Sequence, residues 1–134
     1  VVALAPPTHG TDLWGIATVV TILGLGPAVG SFCPACADLI AGSKAVKALN
    51  NGPVAQPGIS YTTIISKHDQ AITAYTSAAI NEPGTHDIVL QDVCPGEVDG
   101  HTGLAYDRGV LTMITNALDP GHPAAVRCDS GLPF

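Results

Sequence analysis

Cationic residues are scarce in this chain. Its 134 residues include five Lys and Arg against eleven Asp and Glu, a formal net charge of −6. A nucleic-acid surface needs a basic patch that displaces counterions from phosphates, and five scattered cations cannot make one. A polybasic membrane anchor is excluded for the same reason. Aromatic residues make up only 4% of the chain, which argues against a base-stacking surface. Neither G-x-G-x-x-G nor G-x-x-x-x-G-K-S/T occurs, so no phosphate loop is legible. N-x-S/T acceptors are lacking as well, so glycosylation on Asn is not expected. The opening VVALAPPTHG has no Met, charged n-region or small-residue cleavage site, and so does not read as a signal peptide.

Apolar surface, in contrast, is plentiful. Hydrophobic residues reach 46%, charged residues only 12%, and mean hydropathy is +0.34. That excludes a disordered chain, which needs low hydrophobicity and high charge. The length fits one domain with a real core. The excess of apolar surface predicts packing against another polypeptide or contact with lipid.

Four cysteines, Cys33, Cys36, Cys94 and Cys128, leave two readings. An even count fits two disulfides and a secreted, extracellular protein. The other reading is a metal site, but tetrahedral zinc usually takes two close pairs and only one pair here is close. Cys33-Pro34-Ala35-Cys36 reads as a short-loop disulfide or a thioredoxin-like motif, and the usual strand before the latter is missing. If Cys94 and Cys128 are bridged, the loop contributes about 3–4 kcal/mol by chain entropy.

Along the chain, Val1–Ala5 reads as a fully apolar strand, the kind found centrally in a parallel sheet. A domain seldom begins with its most buried strand, which suggests a piece of something larger. Leu13–Val29 carries no charge and reads as a buried helix or as an interfacial flap; it is too short and glycine-broken to span a bilayer. Ala37–Leu49 has helical spacing, ended by Asn50-Asn51-Gly52-Pro53. Ile59–Ser66 and Ile88–Gln91 read as strands, and Tyr106–Leu118 as a helix that Asp107 can cap. Alternating strands and helices imply an α/β parallel sheet.

In such a sheet functional groups sit past the carboxyl ends of strands. Asp69 follows one strand and His101 follows the next, the order of the later members of a Ser-Asp-His triad. An Asp and a His on loops are common, so a turn Asp and a surface His are the plainer reading of the spacing alone. His9 reads as a turn residue, and His68, His86 and His122 as solvent-facing.

Five stretches carry a resemblance: VVALAPPTHGTDLWG, CPACADLIAGSKAVKALN, QPGISYTTIISKHDQAITAYTS, IVLQDVCPGEVDGHTGLAYD and VLTMITNALDP. Together they resemble the C-terminal half of secreted α/β-hydrolase lipases, of the actinobacterial and fungal triacylglycerol type, with a more distant likeness to Candida antarctica lipase B. The resemblance covers Val1 to about Pro120. It implies a carboxylic ester hydrolase with Asp69 as catalytic acid and His101 as catalytic histidine. It implies a lid or acyl-binding wall in the apolar segment, with Leu13, Trp14, Ile16, Val19, Val20, Ile22 and Leu23 as its candidates. A disulfide from Cys94 to Cys128 would pin the histidine loop to the tail, and Cys33 and Cys36 match the family's C-P-A-C.

The resemblance divides the chain into a central strand (1–5), a lid and helical insertion (12–50), the strands and loops carrying Asp and His (59–120), and a disulfide-pinned tail (121–134). Two departures stand out. The run His68-Asp69-Gln70 lacks the family's aromatic and acidic neighbours, and Ala74 stands where Pro is common. The nucleophile elbow G-x-S-x-G is absent: Ser31, Ser43, Ser60, Ser66, Ser77 and Ser130 all lie outside that pattern. The chain alone is therefore expected to be nearly inert, with a separate N-terminal polypeptide supplying the serine and oxyanion donors. The expected substrate is a lipid or small ester, with lipid-interface contact but no membrane spanning, and with no metal or organic cofactor. The alternatives are a catalytically inactive secreted module that binds lipid or a partner, and an unrelated disulfide-stapled domain.

Overall fold

The computed structural model describes residues 1–16 and 33–129, together with residues 24, 28 and 31. Val19, Val20, Ile22, Leu23 and the last five residues lie outside the described residues.

Three runs of β-branched and apolar residues form a sheet: β1 (Val2–Leu4), β2 (Tyr61–Ile65) and β3 (Thr85–Val89). All are parallel, in the order β1-β2-β3, with Leu4 opposite Ile64 and Ile64 opposite Ile88. Parallel neighbours need crossover connections, and these carry the helices. Between β1 and β2 lie α1 (Pro34–Leu39) and α2 (Lys44–Leu49). A 3-10 turn (Tyr75–Ala78) lies between β2 and β3. After β3 come α3 (Leu90–Val93), a second 3-10 turn (Gly103–Ala105) and α4 (Arg108–Leu118). This is a small α/β arrangement, a parallel sheet with flanking helices.

The middle strand is the most buried. Ile64, Leu90 and Val110 are fully buried, at 0% exposure, and join Ile65, Ile72, Leu104 and Met113 in one core. In α4 the helical period turns Val110, Met113 and Ile114 towards that core and leaves Leu111 and Leu118 exposed. Asp107 caps α4 by accepting the Val110 N–H at 2.6 Å.

Three elements depart from the pattern read in the sequence. Of Val1–Ala5 only Val2–Leu4 is strand, half-buried and paired with β2 among the described residues. The helix expected over Ala37–Leu49 is broken into α1 and α2. Gly42 adopts φ +79 there, and Ser43 starts a new helix by accepting the Val46 N–H at 3.1 Å. Finally, Ile88–Gln91 is strand only as far as Val89. That residue pairs with Ile65, the last residue of β2, so the backbone beyond it has no ladder to join and closes a helical turn instead, Cys94 N–H to Leu90 O at 2.7 Å.

Carboxylates tie the loops to the sheet. Glu82 accepts the Val54 and Ala55 N–H groups. Asp87 accepts from Thr63 Oγ1 and from the Ile80 and Asn81 N–H groups. Burial alone would raise the Asp87 carboxyl, but these hydrogen bonds favour the ionised form and hold it below the usual range.

The turn after β1 makes the closest backbone approach. Gly10 has φ +80, and a Cβ there would lie 2.6 Å from Ala41 Cα. Replacing Gly10 by Ala is expected to destabilise the fold by about 2–4 kcal/mol, from the left-handed conformation and the overpacking together. Urea unfolding measures this, and an unchanged midpoint would rule out the close approach.

Candidate active site

Asp69 sits just past the carboxyl end of β2, where the chain turns sharply. Its Oδ1 accepts two backbone N–H groups, from Ala71 at 2.8 Å and Ile72 at 2.7 Å. This local turn is what an Asp side chain does well at a strand exit. It fixes the carboxylate and leaves Oδ2 for a distant partner. That partner is His101, whose Nδ1 lies 2.8 Å away. The Asp69 side chain is 1% exposed and that of His101 37% exposed, so the acid is sealed and the imidazole reaches the surface.

Polar side chains at the strand ends hold the two loops together. Gln91 Oε1 accepts the Lys67 N–H at 2.9 Å, while its Nε2 donates to Ser66 Oγ at 3.0 Å and to Glu97 O at 3.3 Å. Ser66 Oγ in turn donates to Asp99 O and accepts the His68 N–H. Gln70 Oε1 accepts the His101 N–H at 3.2 Å. Gly100 makes room for that contact, since a Cβ there would meet Gln70 Oε1 at 2.2 Å. Ser66, Gln70 and Gln91 were not singled out by sequence pattern. For Ser66 and Gln91 the available signal is a polar residue directly after an apolar strand run, where a core residue would otherwise continue; Gln70 carries none.

The geometry determines what the pair can do. An ionised carboxylate only accepts, so the hydrogen on the neutral ring belongs on Nδ1. Nε2 then keeps its lone pair. An imidazole held in this way can take a proton at Nε2 and return it, with the carboxylate stabilising the imidazolium between the two steps.

A cavity of about 330 Å³ opens beside the imidazole, lined by Leu4, Pro6, Leu13, Leu39, Ile72 and His101 among others. Thr11 builds its wall. The Thr11 hydroxyl donates to Ala71 O at 2.6 Å and accepts from the Leu13 and Thr73 N–H groups. The turn after β1 is thereby sewn to the loop carrying the acid. Of the apolar segment, Leu13 faces this cavity, whereas Trp14 and Ile16 are 73% and 60% exposed.

No family model matches this chain, and no curated protein matches it. Function must therefore be read from the site's own chemistry.

The remaining sequence candidates fall as follows. His9 contributes its backbone N–H to Ser77 O at 2.9 Å, and His68, His86 and His122 are exposed. Cys33 is bonded to Cys36, and Cys94 to Cys128; among the described residues there is no free thiol. Two disulfides fit maturation in an oxidising compartment. No described helix is long and apolar enough to cross a membrane. Ser66 is fully buried, and its hydroxyl is committed to three hydrogen bonds, so it is not an available nucleophile. Ser43 and Ser77 spend their hydroxyls on Asp38 O and Gly10 O.

Proposed function

We propose that this protein is the acid-and-base portion of a serine carboxylic ester hydrolase of the lipase or esterase class. The serine lies outside these 134 residues, on a polypeptide that pairs with the edge of β1 left without a partner strand among the described residues. The Asp69–His101 contact carries this reading: a sealed carboxylate holds Nδ1 of a partly exposed imidazole that lines an apolar cavity.

The reaction follows from those positions. His101 Nε2 takes the proton from the serine hydroxyl as its oxygen attacks the ester carbonyl. Asp69 stabilises the imidazolium, which gives the proton to the departing alkoxide and leaves an acyl-enzyme. Water repeats the cycle and releases the acid. The cavity lined by Leu4, Leu13 and Ile72 suits an acyl chain. Exposed Trp14 and Ile16 suit a greasy substrate surface. The edge of β1 that has no partner strand among the described residues suits a further parallel strand, because an unpaired strand edge invites pairing.

Intact-mass analysis followed by fluorophosphonate labelling tests this. The label is expected on a second polypeptide that co-purifies with the chain and brings p-nitrophenyl ester hydrolysis with it. Label on a serine of this chain would remove the complementation. Absence of any labelled serine in an intact assembly would remove the hydrolase reading and favour an inactive binding module.

A further inference from the structure

Beneath the Cys94–Cys128 disulfide, three carboxylates converge from separate segments. Glu97 comes from the loop that carries His101, Asp107 from the cap of α4, and Asp129 from the tail. One oxygen of each lies within 4.8 Å of those of the other two. Glu97 is 1% exposed and Asp107 5% exposed.

Each of these two buried acids uses one oxygen on the backbone. Glu97 Oε1 accepts the Asp129 N–H, and Asp107 Oδ1 accepts the Val110 N–H. Glu97 Oε2 is buried without a hydrogen-bond partner among the described residues, and no donor reaches Asp107 Oδ2, the Asp107 side chain meeting instead the carboxyl of Asp129. The ion pairs among those residues involve neither acid. Two carboxylates are thus stripped of water, close to a third, with no Lys or Arg opposite. Such an arrangement is costly unless positive charge enters it.

A proton is one way to supply that charge, a metal ion the other. A proton shared between Asp107 and Asp129, whose side chains are hydrogen-bonded, relieves those two acids but leaves Glu97 Oε2 buried without a hydrogen-bond partner among the described residues; a cation meets all three carboxylates. Oxygens within 4.8 Å of one another fit around an ion whose ligands stand at about 2.3–2.6 Å, as calcium's do. The all-oxygen donor set excludes soft metals. Cys94 and Cys128 lie beside Glu97, but their sulfurs are bonded to each other and offer no thiolate. Magnesium holds its own waters more tightly and suits a dry pocket less well.

We propose that Glu97, Asp107 and Asp129 bind a calcium ion that ties the tail and the start of α4 to the loop carrying His101. The role is structural, and it stands independently of the hydrolase reading.

The test uses purified protein treated with chelator and then titrated with CaCl2, followed by calorimetry and thermal unfolding against NaCl of equal ionic strength. One ion per chain is expected, with an affinity of about 10⁻⁴–10⁻³ M, the range of extracellular calcium modules. At 10 mM calcium, well above that range, Tm should rise by about 5 °C. Glu97→Gln keeps an acceptor for the Asp129 N–H, and Asp107→Asn keeps a helix cap. Each should fold and bind calcium at least about tenfold more weakly, the loss expected when a charged ligand becomes neutral. Asp129→Asn, at an exposed position, serves where either buried variant fails to fold. Absence of both heat and Tm shift in the unmodified protein overturns the proposal, leaving the acids neutralised by protons. Variants that titrate like the unmodified protein overturn it too, as does an equal response to MgCl2.

Discussion

Replacing His101 by Ala is expected, on the proposed hydrolase reading, to reduce ester turnover of the assembly with its serine-bearing polypeptide by a factor of about 10⁴–10⁶. In the proposed mechanism the imidazole takes the serine's proton and returns it to the leaving alkoxide. The fold should tolerate the change, since His101 sits on a loop with its side chain 37% exposed. Asp69→Asn is the companion variant. The Asn carbonyl can still accept the Ala71 and Ile72 N–H groups, but its amide would present a donor to Nδ1. The ring would then carry its hydrogen on Nε2, where it cannot act as a base, and turnover should fall about 10⁴-fold. The double variant should be no slower than His101→Ala alone, because the two residues act as a unit. Turnover of a p-nitrophenyl ester, read beside Tm, decides the matter. Undiminished turnover in His101→Ala would exclude this histidine from the chemistry.

The second large effect concerns stability. Converting Cys94 and Cys128 to Ser is expected to cost about 3–4 kcal/mol, the chain-entropy value for a bridge of this span. The sequence separation is 34 residues, and the bridge joins the start of the histidine loop to the tail. Cys94 is fully buried, so a hydroxyl there also loses its water. The Cys33–Cys36 bridge spans a separation of only 3, and its loss should cost less. Urea unfolding of the two double variants gives the comparison, and equal midpoints would contradict it. The long bridge also positions Asp129 beside Glu97, so its loss should abolish the calcium response as well.

Local chemistry makes much of this protein legible from its residues. A β-branched run such as Tyr61–Ile65 can scarcely be anything but a strand, and apolar spacing with a capping Asp107 announces α4. Asp69 and His101 stand out as candidates because polar groups after successive strands in a parallel sheet lie near the same edge. Their 2.8 Å contact could not be read in that way. It depends on Gln91, Ser66 and Gln70 holding two loops across 25 to 33 residues of separation, and such bonds leave no periodic trace. The break between α1 and α2 was hidden because helical spacing survives a turn that Gly42 and Ser43 impose.

The carboxylate cluster shows the same division. Composition reveals eleven acids and few cations, but not which acids lose their water. Glu97, Asp107 and Asp129 belong to three segments and meet only once Cys94 and Cys128 are joined and α4 has packed on the core. Strands, helix caps and the even cysteine count are properties of neighbours in the chain, set by backbone sterics and short-range hydrogen bonds. The Asp69–His101 pair, its cavity and the buried acids arise from contacts between residues far apart in the chain, whose energies exist only after the loops have closed.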